Sequence, residues 1–423
     1  MTSASAPRPS LLGLAPSFGF GDRLGLATPG HIAACRKGKL QPIFAQQSVR
    51  EMTRTQRTPE EVMAAAQHGI REEDWTGPWG ADADHLKTED DVKNLAVAGF
   101  TFFTIDPSAY VQNQADGLKR NELETAVKEV VHAGVFASLK ELEDLYLNRN
   151  HALPNSGNIR FDDREQLYRA AVKYGKAIAH SEKMAHWIST ATVGRGAEIE
   201  VSVDETDSPT SPAEHLFIGL EFKRRGVKPV SVAPRFIGEF EKGIDYKGSL
   251  EVFEESLKCH VAIAKYCGPY KISVHSGSDK FSIYPIIGRV CENLLHVKTA
   301  GTSYLEALRV IARTNAPLFL EIIEYSLGRF ETDRASYHIS AKLSDIPRLG
   351  NLSAVEREAI FLDHDAGRQI LHVTFGSILT QGKAKDGRSF KEAILEMLHK
   401  EAALHKEVLA GHLGRHITLL NAG

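Results

Sequence analysis

Cysteine is scarce in this sequence, and the cysteines that are present form no recognisable motif. The 423 residues include four, Cys35, Cys259, Cys267 and Cys291, and no two of them have C-x-x-C spacing. Small secreted domains that depend on disulfides are dense in cysteine, whereas scattered thiols in a long chain are typical of a reducing compartment. We therefore expect reduced thiols and a cytoplasmic location.

The sequence also lacks an excess of charge of one sign and any long apolar run. It has 51 Lys and Arg against 54 Asp and Glu, a formal net charge of −3, which gives no general attraction to nucleic acid or anionic lipid. A short basic run, 223–225, precedes Gly226 at a predicted helix end, where the helix dipole favours it. No run approaches the roughly 18 apolar residues that cross a membrane. We predict a small molecule as partner, and neither nucleic acid nor a membrane.

Three motifs for common ligands and nucleophiles are missing as well. G-x-G-x-x-G does not follow a first strand, and neither G-x-x-x-x-G-K-[ST] nor G-x-S-x-G occurs. A tightly bound dinucleotide, a P-loop phosphate site and a serine nucleophile elbow are therefore unsupported.

What the sequence does contain is a rhythm of short apolar segments, each followed by polar, Gly or Pro residues and then a helical stretch. Strands that alternate with helices predict a parallel sheet, and eight such units predict an α/β fold of the TIM (β/α)₈ barrel type. Ser211 and Glu214 form a capping-box pattern ahead of one of these helices. The eight predicted strands lie at 23–31, 40–48, 77–86, 100–108, 198–206, 229–238, 270–278 and 295–303.

The spacing of these units predicts the domain organisation. We expect a flexible N-terminus over 1–20, a barrel over 21–303 with a helical insertion at 111–195 after its fourth strand, and a mainly helical extension over 304–423 packed on the barrel. Two pieces of the extension, 336–340 and 370–379, look extended. They carry His338 and His372, which either close over the barrel mouth or pack structurally.

Strand alternation places several polar side chains inside the predicted barrel. In EIEVSVDET, Ile199, Val201 and Val203 share the face toward the outer helices, so that Glu200 and Asp204 point into the lumen. In YKISVHSGSDK, His275 points into the lumen at the strand end, where barrel enzymes keep their catalytic groups. A buried carboxylate needs a partner, so Glu200 belongs either to a structural ion pair or to the site.

A third strand exit, GADADHLK, concentrates Asp84 and His85. An imidazole there can bind a divalent metal and a carboxylate can act as a base. Adjacent residues leave a strand on opposite sides, so both reach the mouth only where the chain curls. The alternative is that the aspartate caps the following helix.

The sixth exit, RFIGEFEKGIDY, supplies candidates for substrate and metal. Arg235 suits a substrate carboxylate, which it can clamp in a bidentate fork. Glu239 or Glu241 would complete a His₂–carboxylate metal site with the two histidines, and alternation does not choose between them. Further candidates for substrate contact at other exits are Asp279 and Lys280, with weaker signals at Asp106, His296 and Lys298.

Several long segments together resemble the tagaturonate/fructuronate epimerase family. The resemblance implies a divalent-metal epimerase that interconverts D-tagaturonate and D-fructuronate, with related activity on D-fructose and D-tagatose at C4. By motif it implies Asp84 as proton acceptor, Glu200 as proton donor, and His85 and His275 as metal ligands together with a glutamate of EFEKG. The segments include GDRLGLATPGH, PIFAQQSVRE, GADADHLKT, EVSVDETDSPTSP, RFIGEFEKGIDYKG and YKISVHSGSDKFSIYP.

The chemistry of such an epimerase constrains its mechanism. The inverted carbinol carbon is β to the ketone, so its C–H proton is not acidified by enolisation. Retro-aldol cleavage and recombination avoids that difficulty, whereas transient oxidation would need a nicotinamide for which no motif is present. A mixed His/carboxylate site accepts Zn, Mn, Co or Ni. Competing interpretations are a class II aldolase-like lyase and a non-catalytic sugar-binding barrel, and a homo-oligomer is compatible with all three.

Overall fold

A closed barrel of eight parallel strands lies at the centre of the computed structural model, which describes residues 6–153 and 156–421. The predicted TIM barrel with a helical insertion and a helical C-terminal extension is confirmed. No helix of the described part of the chain is long and apolar enough to cross a membrane.

The elements follow one another in the strand–helix order of a (β/α)₈ fold. Up to the insertion they are β1 (Ser17–Phe20), α1 (Thr28–Cys35), β2 (Gln41–Ser48), α2 (Val49–Thr55), α3 (Pro59–Glu72), β3 (Gly80–Leu86), α4 (Glu89–Val97) and β4 (Phe102–Ile105). The insertion contains α5 (Arg120–His132), α6 (Leu139–Tyr146), the hairpin strands β5 (His151–Leu153) and β6 (Gly157–Ile159), and α7 (Arg164–Ala191). The barrel continues with β7 (Glu198–Val203), α8 (Pro212–Arg224), β8 (Ser231–Pro234), α9 (Leu250–Cys267), β9 (Lys271–Val274), α10 (Tyr284–Cys291) and β10 (Leu295–Thr299). The C-terminal helices are α11 (Thr302–Thr314), α12 (Ala316–Asp333), α13 (Ala354–Leu362), α14 (Asp365–Val373), α15 (Phe375–Thr380), α16 (Phe390–Lys400) and α17 (Ala402–Asn421).

Alternation within the strands separates the apolar core from the polar lumen. Val201 and Val274 are fully buried in the apolar core between strands and helices. Glu200, Lys271 and Lys298, on the other face of their strands, are also buried but find polar partners in the lumen. The alternation therefore delivers charged groups to the barrel interior, as predicted.

The first strand does not lie where the sequence predicted it. β1 pairs with β2 on one side and β10 on the other and so closes the barrel, whereas 23–31 forms the following loop and the start of α1. The barrel therefore begins at Ser17, within the stretch expected to be a flexible N-terminus. Gly19 weakens the strand pattern, and a Cβ at this position would overlap the side-chain amide of Gln46.

The C-terminal segment also differs from its predicted pattern. The stretch 370–379, predicted to be extended, forms the end of α14 and most of α15, and 336–340 has no regular structure apart from its first residue. Ile370 and Val373 are three residues apart, so that on a helix they share one face and pack against Phe330. These β-branched residues therefore lie on one buried face of a helix, because tertiary packing outweighs their intrinsic preference for strands.

The last helix completes the ring around the barrel. α17 packs between α1 and α10, and its Leu409, Leu413 and Ile417 belong to the core of the barrel itself. Helices α11 to α16 instead enclose a second apolar core that includes Leu308 and Ile322. The extension therefore has two parts: a helical layer next to the barrel, followed by a final helix that packs directly on the barrel core.

Candidate metal centre and active site

A cavity of about 780 Å³ opens at the carboxyl ends of the barrel strands. Its floor includes Asp84, His275 and Lys298, and Tyr337 and His372 from the C-terminal helical layer line it from above. Catalytic groups of TIM barrels lie at this end. The position predicted for the site is therefore the position of this cavity.

Asp84 and His85 both face the cavity although they are consecutive. The β3–β4 register shifts between Ala83 and Leu86, and His85 has a left-handed backbone with φ of 59°. A bulge of this kind re-aims a side chain that regular alternation would send to the other face. His85 Nδ1 lies 2.8 Å from Asp84 Oδ1, so the carboxylate orients the imidazole.

His85, His275 and Asp204 form a group that fits a divalent cation. One ligand atom from each lies within 4.8 Å of the others. His275 Nδ1 is buried without a hydrogen-bond partner, 3.5 Å from Asp204 Oδ2. Two imidazoles and one carboxylate are a donor set that Zn, Mn, Co and Ni accept.

The remote nitrogens of these two histidines are each held by a carboxylate. Asp84 bonds His85 Nδ1, and Glu200 Oε1 lies 2.7 Å from His275 Nε2. Metal-binding histidines in proteins generally donate their second N–H to a carboxylate or carbonyl, which fixes the tautomer and directs the other nitrogen to the metal. Both pairs have that arrangement, with Asp204 completing the group.

Lys298 neutralises the carboxylates beneath this group. Its Nζ lies 2.7 Å from Asp82 Oδ2, 2.8 Å from Asp84 Oδ1 and 2.9 Å from Glu200 Oε1. Burial alone would raise the pKa of Asp84 and of Glu200, but the neighbouring cations hold both pKa values well below the usual range. Burial, together with repulsion from Asp84 and Glu200, raises the pKa of Asp82 to about 7, although Lys298 opposes this. The cavity floor thus keeps Asp84 ionised.

Three of the predicted site residues meet in this cluster, and one supports it from below. Asp84, His85 and His275 line the cavity. Glu200 has no exposed surface and does not line the cavity; it contacts His275 and Lys298. Its position predicts that it acts through these neighbours.

Neither glutamate predicted as third ligand belongs to the His85–His275 group, whose carboxylate is that of Asp204; Glu239 lines the cavity but lies outside this group. Glu239 and Lys247 exchange backbone hydrogen bonds, so the segment after β8 folds back on itself. The Glu239 carboxylate bonds His338, at 2.7 Å, and that of Glu241 accepts a hydrogen bond from Gln369, also at 2.7 Å. β8 ends at Pro234, so alternation no longer applied to these positions. The same alternation along β7 did predict that Asp204 points into the lumen.

Asp279 and Lys280, predicted to contact substrate, are buried and do not line the cavity. Asp279 pairs with Arg368 at 2.8 Å, and Lys280 donates to the backbone carbonyls of Ser278, Glu241 and Ile244. The loop after β9 turns these charges inward. Their role is to hold neighbouring loops.

Of the other predicted residues, His296 is buried and does not line the cavity; its Nδ1 lies 2.9 Å from Ser17 Oγ. Asp106 and Lys298 line the cavity. Arg235 lines it, as do His338 and His372. Nε2 of His372 lies 3.4 Å from the Arg23 guanidinium, and burial lowers the pKa of this imidazole far below its usual value. Lys242 also lines the cavity, although it was not predicted from the sequence. It lies in an irregular loop, where no periodicity indicates side-chain direction.

Comparison with known proteins agrees with this geometry. The family model for tagaturonate epimerase (UxaE) matches residues 5–420. A tagaturonate/fructuronate epimerase from Thermotoga maritima is 44% identical over 413 residues, which cover 98% of this chain and 82% of that protein.

Solved structures of the fructuronate-tagaturonate epimerase UxaE from Cohnella laeviribosi have the same fold. The native structure has a TM-score of 0.91 at 38% identity and covers 98% of this chain and 83% of its own. A complex with two glycerols has a TM-score of 0.92 at 37% identity, with the same coverage. The family indicated by the sequence segments is thereby confirmed: the chain belongs to the tagaturonate epimerase family and is an isomerase of the epimerase type.

Proposed function

We propose that this protein interconverts D-tagaturonate and D-fructuronate with a divalent cation held by His85, His275 and Asp204. The observation that carries the proposal is the paired arrangement of the two imidazoles: each is fixed by its own carboxylate and turned toward Asp204 at the cavity floor. Asp204 replaces the glutamate that the sequence had suggested. The cation is one of Zn, Mn, Co or Ni.

The proposed reaction begins at the hydroxyl of the carbon to be inverted. When bound, the cation supplies Lewis acidity that polarises the substrate carbonyl. Asp84, which lines the cavity and is kept ionised by His85 and Lys298, accepts the hydroxyl proton. The bond between this carbon and the carbon next to the ketone then breaks, which leaves an aldehyde and an enolate fragment.

Inversion follows from rotation of the aldehyde before the bond re-forms. The enolate carbon attacks the opposite face of the aldehyde, and the new alkoxide takes up a proton. That proton is the one that Asp84 accepted in the first step, so the steps balance. Glu200 is buried and does not line the cavity, and we assign it a supporting role, in which it holds His275 and shares the Lys298 ammonium with Asp84. No C–H bond breaks in this series of steps.

Turnover with and without metal tests the proposal. The purified protein, freed of metal by a chelator, should lose activity on tagaturonate, and Zn, Mn, Co or Ni added singly should restore it. Retention of full activity by metal-free protein would contradict the cation site. Accumulation of three-carbon fragments instead of fructuronate would identify an aldolase-like lyase. The same assay on D-fructose tests the C4 epimerisation of a neutral ketose.

Solvent isotope incorporation tests the bond that breaks. With D₂O as solvent, retro-aldol cleavage leaves the hydrogen on the inverted carbon in place, because only its hydroxyl proton exchanges. Mass spectrometry or NMR of the product should therefore show no deuterium on that carbon. Stoichiometric deuterium there would instead identify direct proton abstraction from carbon.

A further inference from the structure

Three of the six Lys and Arg side chains that line the cavity are paired with carboxylates of the protein. Arg23 Nε donates to Glu51 at 2.9 Å, Lys87 pairs with Asp106 at 3.1 Å, and Lys298 serves carboxylates of the cavity floor. The positive charges of these three side chains are therefore compensated and are not available to a substrate carboxylate. A ligand carboxylate must therefore find its partner elsewhere on the wall.

Lys242 lines the same cavity without such a partner. Its Nζ donates to Ser276 Oγ at 2.5 Å, and it forms no ion pair with a carboxylate among the residues that the structure describes. Burial lowers the pKa of Lys242, and the positive charge of Arg50 lowers it further, against a weaker opposing effect of Asp204. A half-buried ammonium without a counterion is costly unless a ligand supplies one.

The loop that carries Lys242 is held from several sides. Glu241, before it, accepts hydrogen bonds from Ser340 N at 2.6 Å and Gln369 Nε2 at 2.7 Å. Gly243, after it, accepts one from Arg368 Nε at 2.8 Å through its carbonyl.

The same loop is also fixed from below. Lys280 Nζ donates to the carbonyl of Glu241 at 2.8 Å and to that of Ile244. Arg368, which holds Gly243, is itself paired with Asp279. The buried charges after β9 thus position the backbone on both sides of Lys242, an arrangement that preorganises its side chain for binding.

The two remaining unpaired cations of the cavity are less constrained. Arg50 is exposed and lies over the ring of Tyr337, with 5.7 Å from its Cζ to the ring centroid. Arg235 is half-buried, and only its backbone is held, by Thr210. Among these groups, Lys242 combines burial, an unpaired charge and a fixed backbone.

We propose that Lys242 binds the carboxylate of the substrate and so selects a keto acid over a neutral ketose. The inference rests on the proposed function, in which the ketone end of the substrate faces the metal centre and the carboxylate lies at the other end of its carbon chain. Ser276, which follows the metal ligand His275, accepts from the Lys242 ammonium and thus links the two ends of the site. Lys242 is a binding residue and takes no part in the bond-breaking step.

Kinetics of Lys242→Met and Lys242→Arg with tagaturonate test the assignment. We expect Lys242→Met to raise KM by about tenfold to a hundredfold, the size of a lost charge-assisted hydrogen bond, with a smaller effect on kcat. Lys242→Arg keeps the charge and should recover most of the affinity. Lys258→Met removes the same charge from an exposed position on α9 and should leave KM unchanged.

A pair of inhibitors separates charge recognition from a general loss of binding. For Lys242→Met, the inhibition constant of a hexonate, which carries the carboxylate but no ketone, should rise as KM does. That of the corresponding alditol should stay as in the wild type. An unchanged hexonate constant, or equal losses for both inhibitors, would overturn the assignment. Failure of the wild-type protein to turn over tagaturonate would instead contradict the proposed function.

Discussion

Lys298 joins three acidic side chains in the barrel interior. Its ammonium is buried and lies within 3 Å of Asp82, Asp84 and Glu200, as given above, so it supplies one positive charge to three carboxyl groups. The raised pKa of Asp82 shows the imbalance: burial and the neighbouring charges favour a proton on this group. Without the lysine, the same carboxylates would repel one another in a medium that solvates charge poorly.

We expect Lys298→Met to lower the free energy of unfolding by about 3–5 kcal/mol, because it leaves buried carboxylates unpaired. Urea denaturation at neutral pH measures the change. Lys265→Met is the matched control, since it breaks a pair with Glu292 in which both side chains are exposed, by 40% and 65%, and should cost less than about 1 kcal/mol. Equal losses of stability in the two variants would contradict the conclusion that Lys298 compensates the charge of buried carboxylates.

Asp204→Asn should reduce bound metal per chain, because it removes the carboxylate of the His85–His275 group. Metal content after dialysis against a dilute chelator, measured by elemental analysis, gives the result directly. Glu241→Gln provides the comparison, because its carboxylate bonds Ser340 and Gln369 outside this group. Loss of metal from Glu241→Gln with retention by Asp204→Asn would restore the assignment made from sequence.

Alternation predicted the site residues wherever a side chain still belonged to a regular strand. Glu200, Asp204 and His275 follow from the parity of their strands, because each residue lies in the strand or directly after it. The adjacent Asp84 and His85 required the bulge at the end of β3, which no sequence periodicity shows. Beyond the strand ends side chains no longer alternate in direction, so the direction of loop side chains could not be predicted from the sequence.

At the scale of elements, α17 illustrates how closely the ring of helices is packed. Glycines on both neighbouring helices permit its approach: a Cβ on Gly30 of α1 would overlap Leu409, and one on Gly288 of α10 would overlap the Leu420 carbonyl oxygen. Backbone cannot yield as a flexible side chain does. The identity of these glycines is therefore a packing requirement.

Gly288→Ala should destabilise the protein by about 1–3 kcal/mol, as overpacking in a close interface does. Thermal unfolding followed by circular dichroism checks the expectation. Gly328 lies in α12 with open space around its Cβ position, so Gly328→Ala should be neutral or slightly stabilising through helix propensity. A stability for Gly288→Ala equal to that of Gly328→Ala would contradict the close contact with Leu420.

Elements were predictable where apolar residues and turn signals agreed with tertiary packing. The capping box at Ser211 is formed, with Ser211 N donating to Glu214 at 2.7 Å, and seven of the barrel strands lie within their predicted segments. β1 was missed because it has only four residues and one of them is Gly19, which packs against the Gln46 side chain. Residues 370–379 were misassigned because their β-branched side chains serve one face of a helix. In both cases, packing decided against local propensity.

At the scale of the whole molecule, buried histidines set the response to acid. Burial lowers the pKa of His31, His260, His405 and His416 to about 4 and that of His296 to about 3. These imidazoles stay neutral in the folded chain while the unfolded chain takes up protons below about 6.5. The unfolded state therefore binds more protons between roughly pH 4 and 6.5, and stability falls as the pH decreases through that window.

His405→Leu should flatten this dependence. Removing one buried neutral imidazole lowers the slope of the unfolding free energy by up to about 1.4 kcal/mol per pH unit between pH 4 and 6.5. Chemical denaturation at several pH values measures the slope. His68→Leu, on the exposed side of α3, should keep the wild-type slope because that imidazole is solvated in both states. Parallel curves for wild type and His405→Leu would contradict the prediction.

The position of α17 in the chain also determines how late its packing against the barrel can form. A ribosome releases α1 and, about 370 residues later, α17, yet the two helices pack against each other in the finished ring. Until Leu409, Leu413 and Ile417 emerge, the apolar surface of the barrel that they cover is exposed. Contacts of such long sequence separation are slow to form. Packing of α17 thus follows the synthesis of all eight barrel strands.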